Sequence, residues 1–277
     1  MPEAKPTSAF RQLHQPGAPF IIPNPWDIGS ARMLEGLGFP ALATTSSGFA
    51  MTLGRRDYGV TREQAISHGA AIAEVVNIPV SADLENGFGL KPDDAAQTIR
   101  LAAATALAGG SIEDSTGDKQ NPVIGDDALA VARIAAAVEA AEEGKTKSGR
   151  DFVLTARAEA FLYSIGDLDK VIARLNAFAD AGADVLYAPG LPDMDAVRAI
   201  CSSLTKPVNI LVLGKLAEAN VDDFAQAGVA RLSIGGGLAW SAYGTLGDAA
   251  TMLTDGKFTA LSANRDGAKK VAPFLKP

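Results

Sequence analysis

Asp83 and Glu85 stand two residues apart in the stretch Val80–Ser81–Ala82–Asp83–Leu84–Glu85–Asn86–Gly87–Phe88–Gly89. This stretch opens as a short apolar strand after Asn77-Ile78-Pro79 and closes in a turn built on Asn86, Gly87 and Gly89. Residues two apart on a strand face the same side, so the spacing predicts that both carboxylates reach one point. Two carboxylates at close range repel unless a cation lies between them. Hard oxygen donors on a short, rigid element suit Mg²⁺, or Mn²⁺, better than zinc. An acidic, solvated loop after a buried strand is the plainer use of the same residues.

Other polar residues fall at comparable places. Glu113 ends the apolar run Ser111-Ile112, while its neighbour Asp114 would point the other way, towards a helix or a cap. Asp57 lies in Leu53–Gly59, a polar loop long enough to fold over a cavity mouth, or simply an exposed one. Arg157 ends the run Phe152–Ala156. Burying it is costly unless it meets an anion: Glu159, another structural partner or a substrate carboxylate. Ser46-Ser47-Gly48, after Thr44-Thr45, could present hydroxyls and backbone N–H groups to an anion, or make a tight turn. Asn209 sits in Pro207–Val212, and Gly235-Gly236-Gly237 resembles a phosphate-binding turn. His14 belongs to a mobile terminus and His68 to a helix, both structural. Cys201 is a packing residue within a helix.

The elements that would position these residues alternate. Short apolar strands are expected at Phe20–Ile22, Ala41–Thr45, Val80–Asp83, Ser111–Asp114, Phe152–Arg157, Asp184–Ala188, Pro207–Val212 and Ala230–Ile234. Helices are expected between them, among them Ala31–Leu37 behind Asp27 or Ser30, and Arg62–Val76 behind Thr61 with Gln64 in capping-box position. Pro92–Ala108, Asp126–Glu143, Asp167–Ala181, Met194–Leu204 and Val221–Ala227 complete the series, with Gly144–Arg150 as an exposed connection. Alternation of this kind implies a parallel sheet with helices outside. About eight units in 277 residues fit a (β/α)₈ TIM barrel. An open doubly wound sheet is the runner-up, but no G-x-G-x-x-G follows the first strand. In a barrel the active site gathers at the C-terminal ends of the strands, where Ser46, Ser47, Asp83, Glu85, Glu113, Arg157 and Asn209 fall.

Composition bounds the rest. A chain that is 47% hydrophobic can bury a large core, and no shift marks a linker, so residues 1–277 are read as one barrel domain. Residues 1–17 form an N-terminal arm and 248–277 a C-terminal helical segment. A net charge of -7 argues against a nucleic-acid partner. One cysteine excludes an intramolecular disulfide. No apolar run spans a bilayer and Met1–Gln15 lacks a signal-peptide core, so a cytoplasmic location is expected.

These residues, in this order and at these spacings, resemble the isocitrate lyase/phosphoenolpyruvate mutase superfamily from about Phe20 to Gly237. The matching pieces are Asn24-x-Trp26-Asp27, Ser46-Ser47-Gly48, Leu53-Gly54-x-x-Asp57, Ala82-Asp83-x-Glu85-x-Gly87-x-Gly89, Ile112-Glu113-Asp114 and Ala156-Arg157. The resemblance implies Mg²⁺ held by Asp83, Glu85 and Glu113, directly or through water, with Asp57 nearby on a gating loop. It implies a small 2-oxo or 2-hydroxy carboxylate that passes through an enolpyruvate-like anion, with Thr45, Ser46, Ser47, Gly48, Arg157 and Asn209 around it. Homodimers or homotetramers, often exchanging a C-terminal helix, are also implied. The chain departs from the family's lyases, whose Lys-Lys/Arg-Cys-Gly-His loop is replaced by Asp118-Lys119-Gln120-Asn121-Pro122. Lys119-x-Asn121 is similar to the mutase loop, but Tyr187-Ala188-Pro189 stands where the phosphonate enzymes carry a basic or imidazole residue. Carbon–carbon cleavage is the first expectation, with Asp57, Arg157, Lys119 and Asn121 as the catalytic residues. Carbon–phosphorus chemistry, which Lys119-x-Asn121 favours, and a carboxylate-binding barrel without catalysis are the alternatives.

Overall fold

The structure is a computed structural model, and it describes residues 7–275. Its strands are β1 (Phe20–Ile22), β2 (Leu42–Ala43), β3 (Val80–Asp83), β4 (Gly109–Glu113), β5 (Val153–Arg157), β6 (Val185–Tyr187), β7 (Val208–Leu211) and β8 (Arg231–Ser233). All pair in parallel, in the order β1-β8-β7-β6-β5-β4-β3-β2. β1 and β2 are the ends of this sheet, and the Ala43 N–H donates to the Pro23 carbonyl at 3.2 Å across the gap. The result is a nearly closed (β/α)₈ barrel, as the alternation of elements predicts.

The helices are α1 (Thr7–Gln12), α2 (Ile28–Gly36), α3 (Ser46–Thr52), α4 (Arg62–Val75), α5 (Pro92–Ala103), α6 (Asp127–Ser148), α7 (Leu168–Asp180), α8 (Met194–Ser203), α9 (Val221–Gln226), α10 (Gly237–Thr254) and α11 (Asn264–Val271). Side-chain caps start most of those that follow strands, because the first N–H groups of a helix need acceptors. Asp27 and Ser30 cap α2 reciprocally, and Thr61 and Gln64 do so for α4.

Outward residues of the strands, including Ala82, Ile112, Leu154, Leu186, Ile210 and Leu232, pack against Ile99, Ile134, Leu175, Phe178 and Val197 of the helices. This layer between sheet and helices is the main core. A second cluster closes the N-terminal end of the barrel, where Phe10 of α1 is fully buried among Ile22, Ala41, Ala108, Val153 and Val185. Arg11 ties α1 down by pairing with Asp151 and Asp184.

Several expectations are corrected. His14 is not mobile: it is 5% exposed, stacked edge-on between Phe10 and Phe20, and it donates to the Phe10 carbonyl. The strand expected over Ala41–Thr45 ends at Ala43, and Ser46 opens a helix with Thr45 as its cap. α6 runs on to Ser148 through what was expected to be a loop, because Gly144 packs against Ala103 of α5 and Gly149 supplies the left-handed stop. Part of the proposed N-terminal arm, residues 1–6, lies outside the described residues, as do Lys276 and Pro277.

Candidate active site

Paired residues on neighbouring strands share a face, and one such row crosses five strands: Glu113↔Arg157↔Tyr187↔Asn209↔Arg231. A second row joins Asp83↔Ser111↔Thr155. Both face the barrel interior. Strands of such a barrel tilt by about 36°, so the first row descends from Glu113 at the end of β4 to Arg231 at the start of β8. Most TIM barrels fill this space with branched aliphatic side chains. Here Ala43, Ser81, Ser111 and Ser233 leave it open, and a cavity of about 210 Å³ runs from Ser46, Asp57 and Gly236 at the mouth down to Arg231.

At the mouth Arg157 is the hub. Its guanidinium meets Glu159 through Nε (2.9 Å), Asp83 through Nη1 (3.0 Å) and Glu113 through Nη2 (3.0 Å), and lies over the Tyr187 ring. A second bond runs from Nη2 to Glu159. Three of the five N–H donors hydrogen-bond, two to Glu159 and one to Asp83, while Glu113 is held as an ion pair, and a second N–H on Nη1 remains for a ligand. Asp57 and Glu85 add to the negative field here. Burial, reinforced by the charges of Asp83 and Asp57, pushes Glu85 up to about 8, and its buried Oε1 has no hydrogen-bond partner among the described residues. Burial also raises Glu113, Glu159 and Asp57, Asp83 repelling the last. One arginine does not balance this many carboxylates.

Asp83 and Glu85 are close enough for their charges to interact, but not through the expected strand alternation. β3 ends at Asp83, and Glu85 adopts a left-handed φ of 49°. That conformation is unusual for a residue other than glycine, and the side chain, within reach of the Asp83 and Asp57 charges, lines an outer cleft with Tyr58, Arg62 and Phe88 rather than the barrel cavity. Among the described residues no three acidic, histidine or cysteine side chains stand close enough to hold a metal ion between them.

Ser46-Ser47-Gly48 reaches the cavity, but not as a row of free donors. The Ser46 N–H donates to Asp83 (3.1 Å), its hydroxyl faces Asp57, and the Gly48 N–H donates to the Thr45 hydroxyl. Gly48 is required by packing, since a Cβ there would lie 2.6 Å from Thr45 and 3.0 Å from Trp26. The Ser47 hydroxyl, bonded to Thr45, lines the cavity beside Gly236. Asn209 lies deeper than the expected strand end, fully buried, with its amide between Ser233 and Arg231. Lys119 lines an adjoining cleft with Asp57, Arg157 and Tyr163. Asn121 is exposed and outside both cavities. Asp114 faces the helices, as expected, and pairs with Arg174 at 2.8 Å. Cys201 sits on α8, far in sequence and fold from the mouth, its thiol pushed up to about 12 by burial.

Three groups were not foreseen. The Tyr58 hydroxyl donates to Glu113, and it neighbours the Tyr163 hydroxyl, which bonds to Ser115 at 3.1 Å. Tyr58 too is left-handed, φ 62°, as its loop folds over the mouth. Arg231 carries the same signal as Arg157, a charge inside an apolar run, and that signal could have found it.

The phosphoenolpyruvate phosphomutase family profile matches residues 10–254. The 2-methylisocitrate lyase of Escherichia coli K12 is 28% identical over 234 residues, covering 81% of this chain and 76% of that one. A Burkholderia cenocepacia J2315 crystal structure, described only provisionally as a lyase/mutase, superposes with a TM-score of 0.89 at 47% identity, over 99% of this chain and 97% of that one. Oxaloacetate acetylhydrolase, solved with its product oxalate, gives a TM-score of 0.79 at 27% identity, covering 91% and 88%.

Proposed function

Since the chain belongs to the phosphoenolpyruvate phosphomutase family, within the isocitrate lyase/phosphoenolpyruvate mutase superfamily, we propose that it is a Mg²⁺-dependent lyase. Its substrate is a small 2-oxo or 2-hydroxy carboxylate, cleaved at a carbon–carbon bond through an enolpyruvate-like anion. The observation that carries this reading is the unbalanced acid cluster around Arg157, with an oxygen of Glu85 beside it that has no hydrogen-bond partner among the described residues. Mg²⁺ keeps several of its waters and takes only one or two protein carboxylates, so a site without three converging ligands still fits it. Asp83 and Glu85 would hold the ion, with Glu113 and Asp57 reached through water. When bound, the ion supplies positive charge to the oxygen on which the enolate develops.

The chain's own residues do the rest. Glu159 and Glu113 fix the Arg157 plane, leaving the second Nη1 N–H for a substrate carboxylate oxygen. The Ser46 and Ser47 hydroxyls and Thr45 border the same space and orient that carboxylate. Burial raises the Glu113 and Glu159 carboxyls, which stay paired with Arg157, and the Tyr58 hydroxyl donates to Glu113 from the loop beside them. Solvent water is the proton donor in place of the absent loop cysteine. Relatives acting on 2-methylisocitrate and oxaloacetate support a carbon–carbon lyase. Lys119 beside Asp57 and Arg157 favours carbon–phosphorus chemistry as the second reading, and turnover of phosphonopyruvate tests it.

Calorimetric titration with oxalate, with and without Mg²⁺, on wild type and Asp83→Ala tests the site. Mg²⁺ is expected to tighten oxalate binding by more than about tenfold, and only when Asp83 is present. Wild-type binding indifferent to Mg²⁺ rejects the enolate reading. Metal-dependent binding without turnover of any 2-oxo acid would leave a binding barrel without catalysis.

A further inference from the structure

The mouth holds an excess of acids, but the floor of the same cavity holds the opposite. Arg231 is 5% exposed, and among the described residues no carboxylate lies within ion-pair distance of it. Its partners are all neutral: Asn209 Oδ1 (2.8 Å), His14 Nε2 (3.2 Å) and the Thr155 hydroxyl (3.1 Å). Three of its five donors are used, leaving two. Around it Ser81 and Ser111 line the cavity, and among the described residues neither hydroxyl has a hydrogen-bond partner. A buried guanidinium without a counter-ion is costly. A packed aliphatic layer would have avoided the open space above it.

We infer that Arg231, with the hydroxyls of Ser81 and Ser111, forms an anion subsite inside the barrel that takes the second carboxylate of a dicarboxylate substrate. This deepens the lyase reading and rests on it for the first carboxylate, held at the mouth. Thr155, which Arg231 touches, lies two residues before Arg157 on β5, so the two guanidiniums stand at the floor and the mouth of one cavity. Arg231 is thus a specificity-determining residue that selects for a second negative charge.

Succinate and butyrate share a chain length and differ by one carboxylate, so they probe the subsite directly. Calorimetric titration of the full chain in chloride-free buffer is expected to give succinate an affinity at least about tenfold above that of butyrate. In Arg231→Gln that preference should vanish, with butyrate unchanged and Mg²⁺-dependent oxalate binding retained. Ser111→Val, which fills the cavity while leaving the charge, should abolish the preference as well and keeps the test decisive if Arg231→Gln does not fold. Equal binding of the two acids by the wild type overturns the subsite, as does a preference that survives both variants. Failure of the lyase reading is separately visible as oxalate binding that ignores Mg²⁺.

Discussion

His14 should make the protein lose stability between pH 6.5 and 5, before most surface carboxylates protonate. Its Nδ1 meets the Phe10 carbonyl at 2.9 Å and its Nε2 meets Arg231 Nη1 at 3.2 Å. A carbonyl only accepts and a guanidinium only donates, so the ring is neutral, with the proton on Nδ1. A second proton would have to displace Arg231 from Nε2. Burial, then the Arg231 charge, push His14 down to about 3 from 6.5. Its folded pKa is therefore below its unfolded one. The unfolded chain binds the extra proton first, and stability falls as pH drops below 6.5 towards 3. At pH 5 this amounts to 1.5 units at 1.36 kcal/mol each, about 2 kcal/mol. At about 2–4 °C per kcal/mol in a chain approaching this size, the midpoint falls by roughly 4–8 °C. Carboxylates such as Glu85, raised in the fold, shift stability the other way, so the measurement is a difference. Gln at position 14 can accept from Arg231 and donate to Phe10, imitating the neutral ring. Thermal unfolding of wild type and His14→Gln at pH 7.5 and 5.0 is the assay. The variant should retain about 2 kcal/mol that the wild type loses. Equal losses in the two proteins would refute the account, and with it the Nδ1–H assignment.

The remaining predictions address the mouth, the sheet and the surface. Glu85→Gln removes a buried carboxylate whose folded pKa, about 8, exceeds its unfolded 4.5. The ionised form costs stability above pH 4.5, so without metal the variant should melt higher than wild type at pH 7.5, and added Mg²⁺ should no longer raise its midpoint. Gly109→Ala would place a Cβ 2.5 Å from the Val153 carbonyl oxygen, a backbone atom that cannot step aside. It should cost about 1–3 kcal/mol in urea unfolding; a neutral result would show that the β4–β5 pairing can slide. α10 exposes Trp240 (62%) and Leu246 (61%), and Ala239 is its one buried residue among those described. An apolar helix left in water is an association surface; Trp240→Glu with Leu246→Glu should shift sedimentation from an oligomer to the monomer, and unchanged sedimentation rejects that role.

Periodicity and punctuation determined the architecture in advance. Apolar runs of strand length, spaced by helices that open on Asp27, Thr61, Asp126, Asp167 and Asp193, admit few arrangements besides a parallel barrel. The same pattern located Asp83, Glu113 and Arg157 at strand ends, because strand direction alone decides which end becomes the mouth. Local sequence did not show that Glu85 would enter from a left-handed turn, since backbone conformation at a non-glycine residue is set by what surrounds it. Nor did it show that the N–H groups of Ser46 and Gly48 would be spent on Asp83 and Thr45. The pairing of Arg157 with three acids, and of Arg231 with none, follows from register and tilt across β4 to β8. Charge balance is a property of a volume, and residues 14, 155, 209 and 231 share one only after the barrel closes.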